Sequence, residues 1–507
     1  LHVRLAAYQD NINSYQQASL NTSKVPAREQ GAIAPLPISH KILANGLDII
    51  VVESHLKPIA CIYGTIKAGM AFDKPDCRGQ ARLMTAILNA GNNIDSKQQL
   101  TSEQSDTTVP SQTMPIFNCR VENITFANRC LSSDLDIQLR HLFTNLTQPR
   151  IQAADFDGQK NDLINKLRLG ETNGEERIRR ALLSSLIADN CPYYPQHPEQ
   201  EITALSTVKL SDVQDFYRNH INPGATTIII AGDIQPKQVF ALLDDVTHSW
   251  KLGVNSGTTG TNANSTTINS SDKAQINSDK EKVSSMPRLF ISNRQVFKSS
   301  ILLPQESQSQ VVLGRIIPLS DIKQMQAAWV ALHVADCVLS SNPIFSRLAE
   351  KFEAKPELLA ETDDKLWNTK IIKLANKLVW LMNIRLKPGT SSAAAVTAIQ
   401  QELEEFGQTG LTTQDLNEAR RYLAGSIPLQ ECFNLDKLTR FVFRGYSELN
   451  EIDLLTQTKK IITALRSDDM NQFISNLFKP QNATLVVAGP RQLIKQVHPI
   501  SQATEPD

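Results

Sequence analysis

The side chains that most often carry chemistry are scattered along this chain. Its nine histidines (positions 2, 40, 55, 141, 197, 220, 248, 333 and 498) include no pair four residues apart, and no His-Glu-x-x-His occurs in either direction. No single helix can therefore present two imidazoles on one face, and a metal site would have to be assembled from distant segments. The seven cysteines (61, 77, 119, 130, 191, 337 and 432) show no Cys-x-x-Cys spacing and are odd in number, which points to free thiols. No Gly-x-Ser-x-Gly elbow frames a serine nucleophile, and the glycines of Gly253–Gly260 follow no apolar strand as a phosphate loop would. The most organised frame is Gly79–Gly91. Ala81, Leu83, Met84, Ile87 and Leu88 give it helical spacing, leaving Arg82, Thr85 and Ala86 on its remaining surface.

The elements that would hold this segment can be read on either side of it. Asn45-Gly46 between two apolar runs predicts a hairpin over Lys41–Val52, and Pro58–Gly69 predicts a further strand. Residues 92–111 turn polar and predict a loop or a poorly packed helix. Ile116–Phe126 regains strand character, and helices are expected over Asp134–Leu146, Ala153–Arg168, Glu175–Ala188 and Leu210–His220, the last capped by Ser211 or Asp212. The strand Pro223–Asp233, ending in Ala231-Gly232, is echoed 257 residues later by Pro480–Pro490, ending in Ala488-Gly489. Phe216 and Phe473 precede the two copies at the same offset. A shared register of helix, proline, apolar strand and Ala-Gly stop indicates a tandem duplication of units of about 220 residues.

Residues 253–286, rich in Gly, Thr, Asn and Ser, are too poor in apolar side chains to form a core and predict a flexible linker. The expected organisation is an extended lead-in (1–37), a first domain (38–252), the linker (253–286), a second domain (287–495) and a tail (496–507). In the second domain a strand is expected over Gln310–Ile316 and helices over Lys323–Leu339 and Phe345–Phe352. A strand region at Leu374–Lys387 and helices over Thr397–Phe406 and Gln414–Leu423 follow. Strands and helices mix without strict alternation, which favours an α+β class, each domain an antiparallel sheet covered by helices.

Composition narrows the function classes. Lys plus Arg and Asp plus Glu both total 52 of 507 residues, so no charge excess argues for nucleic acid or an anionic membrane. Apolar runs such as Thr227–Ala231 are far shorter than the roughly 18–20 residues that span a bilayer.

Taken together, Asn45-Gly46-Leu47 opening a strand, Ala68-Gly69 closing the next, an acidic loop, and the Gly79–Gly91 frame resemble the N-terminal signature of the zinc peptidase family that contains pitrilysin, insulinase and the mitochondrial processing peptidase. The resemblance continues through Pro192-Tyr193, Leu210–Tyr217 and Ala231-Gly232-Asp233, and in the second half through Phe345–Leu348, Gly410-Leu411-Thr412, Leu416–Arg420 and Ala488-Gly489. It spans about residues 38–495 and implies two homologous α+β domains forming half of a clamshell. Active members carry His-x-x-Glu-His on the helix in question, the histidines binding zinc and the glutamate polarising water. Aligned on Gly79 and Gly91, these positions are Arg82, Thr85 and Ala86, and the family's third ligand falls on Lys166. Neither a guanidinium, an ammonium nor a methyl group offers a lone pair to a metal. The arginine and tyrosine that active assemblies draw from the second domain fall near Glu353 and Ala360, while Arg347 is retained.

The resemblance therefore implies a subunit without catalytic or cofactor-binding residues, similar to the non-catalytic companions of bacterial members. Such a subunit would close a chamber, bind extended peptide by strand addition and accompany a zinc-bearing homologue, in the periplasm by analogy and otherwise in the cytoplasm. The alternatives are a zinc endopeptidase with unrecognised ligands and a structural scaffold. The variant carrying Arg82→His, Thr85→Glu, Ala86→His and Lys166→Glu together is expected to remain inactive, because the second-domain arginine and tyrosine are also absent. Peptide cleavage by that purified variant alone would contradict this.

Overall fold

In the computed structural model the Asn45-Gly46 signal becomes a turn. Gly46 adopts φ 88°, a left-handed conformation that L side chains rarely accept, and Asn45 Oδ1 accepts from the Leu47 amide at 3.1 Å. The turn joins β1 (Ile38–Ile42) to β2 (Asp48–Glu53) in an antiparallel pair. The structure describes residues 36–99, 115–170, 174–189, 191–251, 298–303, 308–317, 319, 322–341, 367–374, 377–386, 391–432, 434–449, 451–479 and 484–494. The expected linker (253–286), nearly all of the lead-in, the tail, the helix at Phe345–Phe352 and the positions Arg347, Glu353 and Ala360 lie outside these residues.

The first half continues with β3 (Ile59–Ile66), α1 (Gln80–Gln99), β4 (Ile116–Cys119), β5 (Ile124–Leu131), α2 (Leu135–Thr147), α3 (Ala153–Gly170), α4 (Gly174–Leu186), α5 (Pro198–Thr207), α6 (Leu210–His220), β6 (Thr226–Gly232) and α7 (Pro236–Thr247). The second contains β7 (Lys298–Leu302), β8 (Gln310–Ile317), α8 (Ile322–Ser341), β9 (Trp367–Leu374), β10 (Lys377–Arg385), α9 (Ser392–Thr409), α10 (Thr413–Cys432), α11 (Leu435–Phe443), α12 (Leu454–Ala464), α13 (Ser467–Leu477), β11 (Thr484–Gly489) and the short α14 (Arg491–Ile494). The polar stretch after Gly91 proves helical as far as Gln99. Helix α6 starts at Leu210 with Lys209 at its N-cap in place of the expected Ser211 or Asp212, and Asp212, the third residue of the helix, accepts from the Lys209 amide at 2.8 Å.

The two sheets repeat one topology. Their orders are β1-β2-β6-β3-β5-β4 and β7-β11-β8-β10-β9, and once β1 is set aside they correspond strand for strand. The correspondence extends to direction. Both sheets are largely antiparallel, as expected, but β2 pairs parallel with β6 and β7 pairs parallel with β11. Helices α6 and α13 have the same length at the same offset, in keeping with the duplication.

Burial explains why the central strands read as unbroken apolar runs. Ile49, Val51, Ile62, Ile66, Ile228 and Ile230 join the core with α1 and α2. The alternate residues Ile50, Cys61, Ile229 and Ala231 are just as deeply buried, on the opposite face. That face is covered by α11 from the second half, which packs on β3 and β6. Tyr63 meets Phe443 edge-on at 5.3 Å, and Arg129 pairs with Asp436 at 3.4 Å. The equivalent helix of the first half, α4, packs in turn on β7, β8 and β11. There Ile178, Leu182, Leu183 and Leu186 form a second core with Leu303, Val312, Val379 and Val486. Gly314 of β8 leaves room for this approach, since a Cβ there would lie 2.9 Å from Leu182 Cδ1.

Each half thus covers one sheet face of the other, and Pro37–Asp507 forms a single compact unit. A polar contact reinforces the junction. The Tyr446 hydroxyl, on a π-helical turn after α11, donates to Asp48 Oδ2 at 2.6 Å, and His40 Nε2 lies 2.7 Å from Asp48 Oδ1. Leu182→Ala is expected to destabilise the protein by about 2–5 kcal/mol. Urea unfolding should show both halves losing structure in one transition at a lower midpoint.

Candidate functional site

The expected helix is α1, and the loop before it fixes its start. Gly79 sits at φ 108°, with its Cβ position 2.8 Å from Leu205 Cδ1, so a side chain there would be both strained and blocked. The Asp73 carboxylate accepts from the Gly79 amide through Oδ2 and from the Ala81 amide through Oδ1, both at 2.8 Å. Burial pushes Asp73 up to about 6, against the lowering effect of these two amides and of the nearby Arg82 and Arg78 charges. Gln80 accepts from the Lys74 amide at 3.0 Å and donates to the Asp212 carbonyl at 2.9 Å. One face of α1, formed by Ala81, Leu83, Met84, Ile87 and Leu88, is fully buried in the first core.

The remaining positions are committed within the protein. Arg82 meets Glu201 of α5 as a two-pronged pair, Nη1 to Oε2 at 2.6 Å and Nη2 to Oε1 at 3.3 Å, while its Nε points at Met70 Sδ, 3.1 Å away. Thr85 is buried and donates to the Ala81 carbonyl of its own helix at 2.7 Å. Ala86 is half-buried and contributes a methyl group. Lys166 is exposed on α3, a helix that packs against α1.

A second ion pair flanks the first. Arg179 of α4 donates to both oxygens of Glu176, at 2.8 and 2.5 Å. Glu176 is held below the usual carboxylate range, first by this bond and further by the charges of Arg179, Arg180 and Arg82. Arg179 is raised chiefly by its bond to Glu176, with a smaller contribution from the Glu201 charge. Arg82, Glu201, Arg179 and Glu176 therefore form a mixed-sign cluster across α1, α4 and α5. Glu201 carries a local signal for its helix, Pro198 at the first turn followed by acidic residues, but nothing local announces a partner 119 positions away.

Cys119 of β4 lies beside this cluster, its thiol pushed up to about 12 by burial and near Thr85 and Arg82. It is neutral at physiological pH and weakly nucleophilic. Cys61, Cys77, Cys119, Cys130, Cys191 and Cys337 are free thiols, as expected. For zinc, this donor set does not fit. The guanidinium has no lone pair, the threonine hydroxyl is spent on its own helix, and Ala86 has no donor atom. Among the described residues no three His, Cys, Asp or Glu side chains converge to hold a metal ion.

Comparison with known proteins gives this geometry a family. Residues 207–423 match the model of the peptidase M16 inactive domain. Over this span, somewhat less than half of the chain, the sequence is similar to the M16 peptidases. No curated protein matches the chain in sequence. Among solved structures, a protease from Helicobacter pylori superposes with a TM-score of 0.68 at 15% identity, covering 90% of this chain and 100% of that one. A peptidase M16 inactive domain from Pseudomonas fluorescens gives 0.67 at 16%, covering 91% and 100%. The periplasmic protease PqqL from Escherichia coli gives 0.65 at 14%, covering 93% of this chain and 50% of that one. The M16 fold thus extends over nearly the whole chain. Within it, the Arg82–Glu201 pair should behave as a structural bridge. A double-mutant cycle of Arg82→Ala and Glu201→Ala, followed by urea unfolding, is expected to give a coupling of about 1 kcal/mol, and Arg82→Lys should recover less than half of it.

Proposed function

We propose that this non-catalytic M16 protein is the chamber-forming, peptide-binding partner of a zinc-bearing homologue in proteolysis and holds no zinc itself. The observation that carries the reading is the pairing of Arg82 with Glu201 on the helix where active relatives keep their metal ligands. In this reading Arg82, Thr85, Ala86 and Lys166 are the replaced zinc-site positions, and Glu353 and Ala360 replace the second-domain pair. The two units are residues 38–252 and 287–495. Each supplies one of the repeated sheets, so a heterodimer with a second M16 chain would surround a cavity as a processing peptidase does.

Peptide would add to the edge strand β4, the element that lies beside α1 and carries Cys119. The periplasmic origin of the Escherichia coli neighbour favours the periplasm, and no helix among the described residues is long and apolar enough to cross a membrane. A purely structural scaffold differs in having no affinity for peptide.

Reconstitution tests the proposal. Mixing the chain with its zinc-bearing homologue is expected to raise peptide cleavage at least ten-fold over the homologue alone, with zinc bound only in the homologue. No gain on mixing, or a full equivalent of zinc in this chain, would refute it.

A further inference from the structure

Strand β4 is the last strand of its sheet, and its pairing with β5 shows which backbone groups face outward. Arg120 donates to the Asn123 carbonyl at 2.8 Å, closing the hairpin. The antiparallel register Ile116↔Ala127, Phe117↔Phe126, Asn118↔Thr125 and Cys119↔Ile124 then makes residues 116 and 118 the inward-bonded ones. The amide and carbonyl groups of Phe117 and Cys119 point away from β5, where an added strand would bind them.

Those of Phe117 are already taken. Its amide donates to Asn89 Oδ1 at 2.9 Å, and Asn89 Nδ2 donates to its carbonyl, also at 2.9 Å. A carboxamide held in this two-point fashion reproduces the hydrogen bonding of one peptide unit of a neighbouring strand. Beyond Cys119 the strand runs into its hairpin turn, where the Arg120 carbonyl accepts from the Met70 amide at 3.0 Å and the Val121 carbonyl from the Ala71 amide at 2.8 Å. Among the described residues, the Cys119 amide and carbonyl are left between these closures as one docking unit, beside Thr85 and Arg82.

We infer that Asn89 is a built-in competitor for the β4 edge: an extended peptide pairs at Cys119 and runs past Phe117 only by displacing the Asn89 carboxamide. Asn89 thereby sets where the bound peptide must end or turn away from the sheet. This rests on the peptide-binding reading above and adds to it the register of the bound strand and the residue that limits it. The site selects for backbone, so the partner it fits is an unstructured segment free of proline at the pairing positions.

The test uses the full chain, a fluorescein-labelled ten-residue peptide of alternating Thr and Val, and hydrogen exchange at the Phe117 amide. Asn89→Ala should leave that amide unprotected in the free protein, bind the peptide about ten-fold more tightly because two bonds no longer need to be broken, and regain protection once peptide is bound. Asn89→Ser, whose hydroxyl is too short to span both groups, should behave alike and serves if the alanine variant does not fold. A Phe117 amide equally protected in the variant overturns the inference. So does equal peptide affinity of variant and wild type, which leaves the peptide-binding reading standing. Absence of binding by either protein overturns both.

Discussion

The arrangement depends on removing both faces of two sheets from water. Strands β2, β3 and β6 have apolar side chains on alternate faces, and the helices of their own half cover only one of them. At about 25 cal/mol per Å² of apolar surface, leaving Ile50, Ile229 and their neighbours in solvent would cost several kcal/mol. Helix α11 closes that face from the second half, and α4 does the same for the second sheet. Because α4 and α11 occupy equivalent places in the repeat, one approximate symmetry operation satisfies both sheets. Withdrawing either half would expose one sheet face of the other.

This constraint reaches the candidate site through α4. Ile178, Leu182 and Leu186 fasten that helix to β8 and β11, while Glu176 and Arg179, at its N-terminal end, stand in the field of Arg82 and Glu201. The candidate site and the junction between halves therefore share one element, α4. Apolar packing on another face of α4 thus places Glu176 and Arg179 where their charges act on Arg82 and Glu201.

How much of this was legible in the sequence depended on how local each cause is. The Asn45-Gly46 turn, the buried face of α1 and the repeat of Ala231-Gly232 at Ala488-Gly489 are written within short windows, and all appear in the structure. Helix α5 is signalled only by Pro198 and its acidic first turn, and β9 is hidden in the sequence because Trp367–Leu374 interleaves lysines with its apolar residues. The parallel pairs β2/β6 and β7/β11 could not be read from either strand alone, since strand direction in a sheet is a property of the crossing connection. The exchange of α4 and α11 and the bridge from Arg82 to Glu201 are long-range in the same sense. Residue types announced that Arg82 could not bind a metal, but what it binds instead required the fold.

In the proposed reading, the partnership of Arg82 with Glu201 also explains how the frame of α1 can stand without a metal donor set. Helix α1 is fixed by its start and by its buried face: Gly79 makes a left-handed turn, Asp73 holds two amides, and Ala81, Leu83, Met84, Ile87 and Leu88 lie in the core. The polar face is where charge has to be neutralised. A guanidinium supplies positive charge without lone pairs, so it can neutralise Glu201 by direct hydrogen bonding. Thr85 satisfies its own hydroxyl within the helix and leaves no buried polar atom demanding a ligand. The residues that hold the frame of α1 therefore make no demand on Arg82, Thr85 and Ala86, which is why the proposed reading lets the fold stand without the metal chemistry.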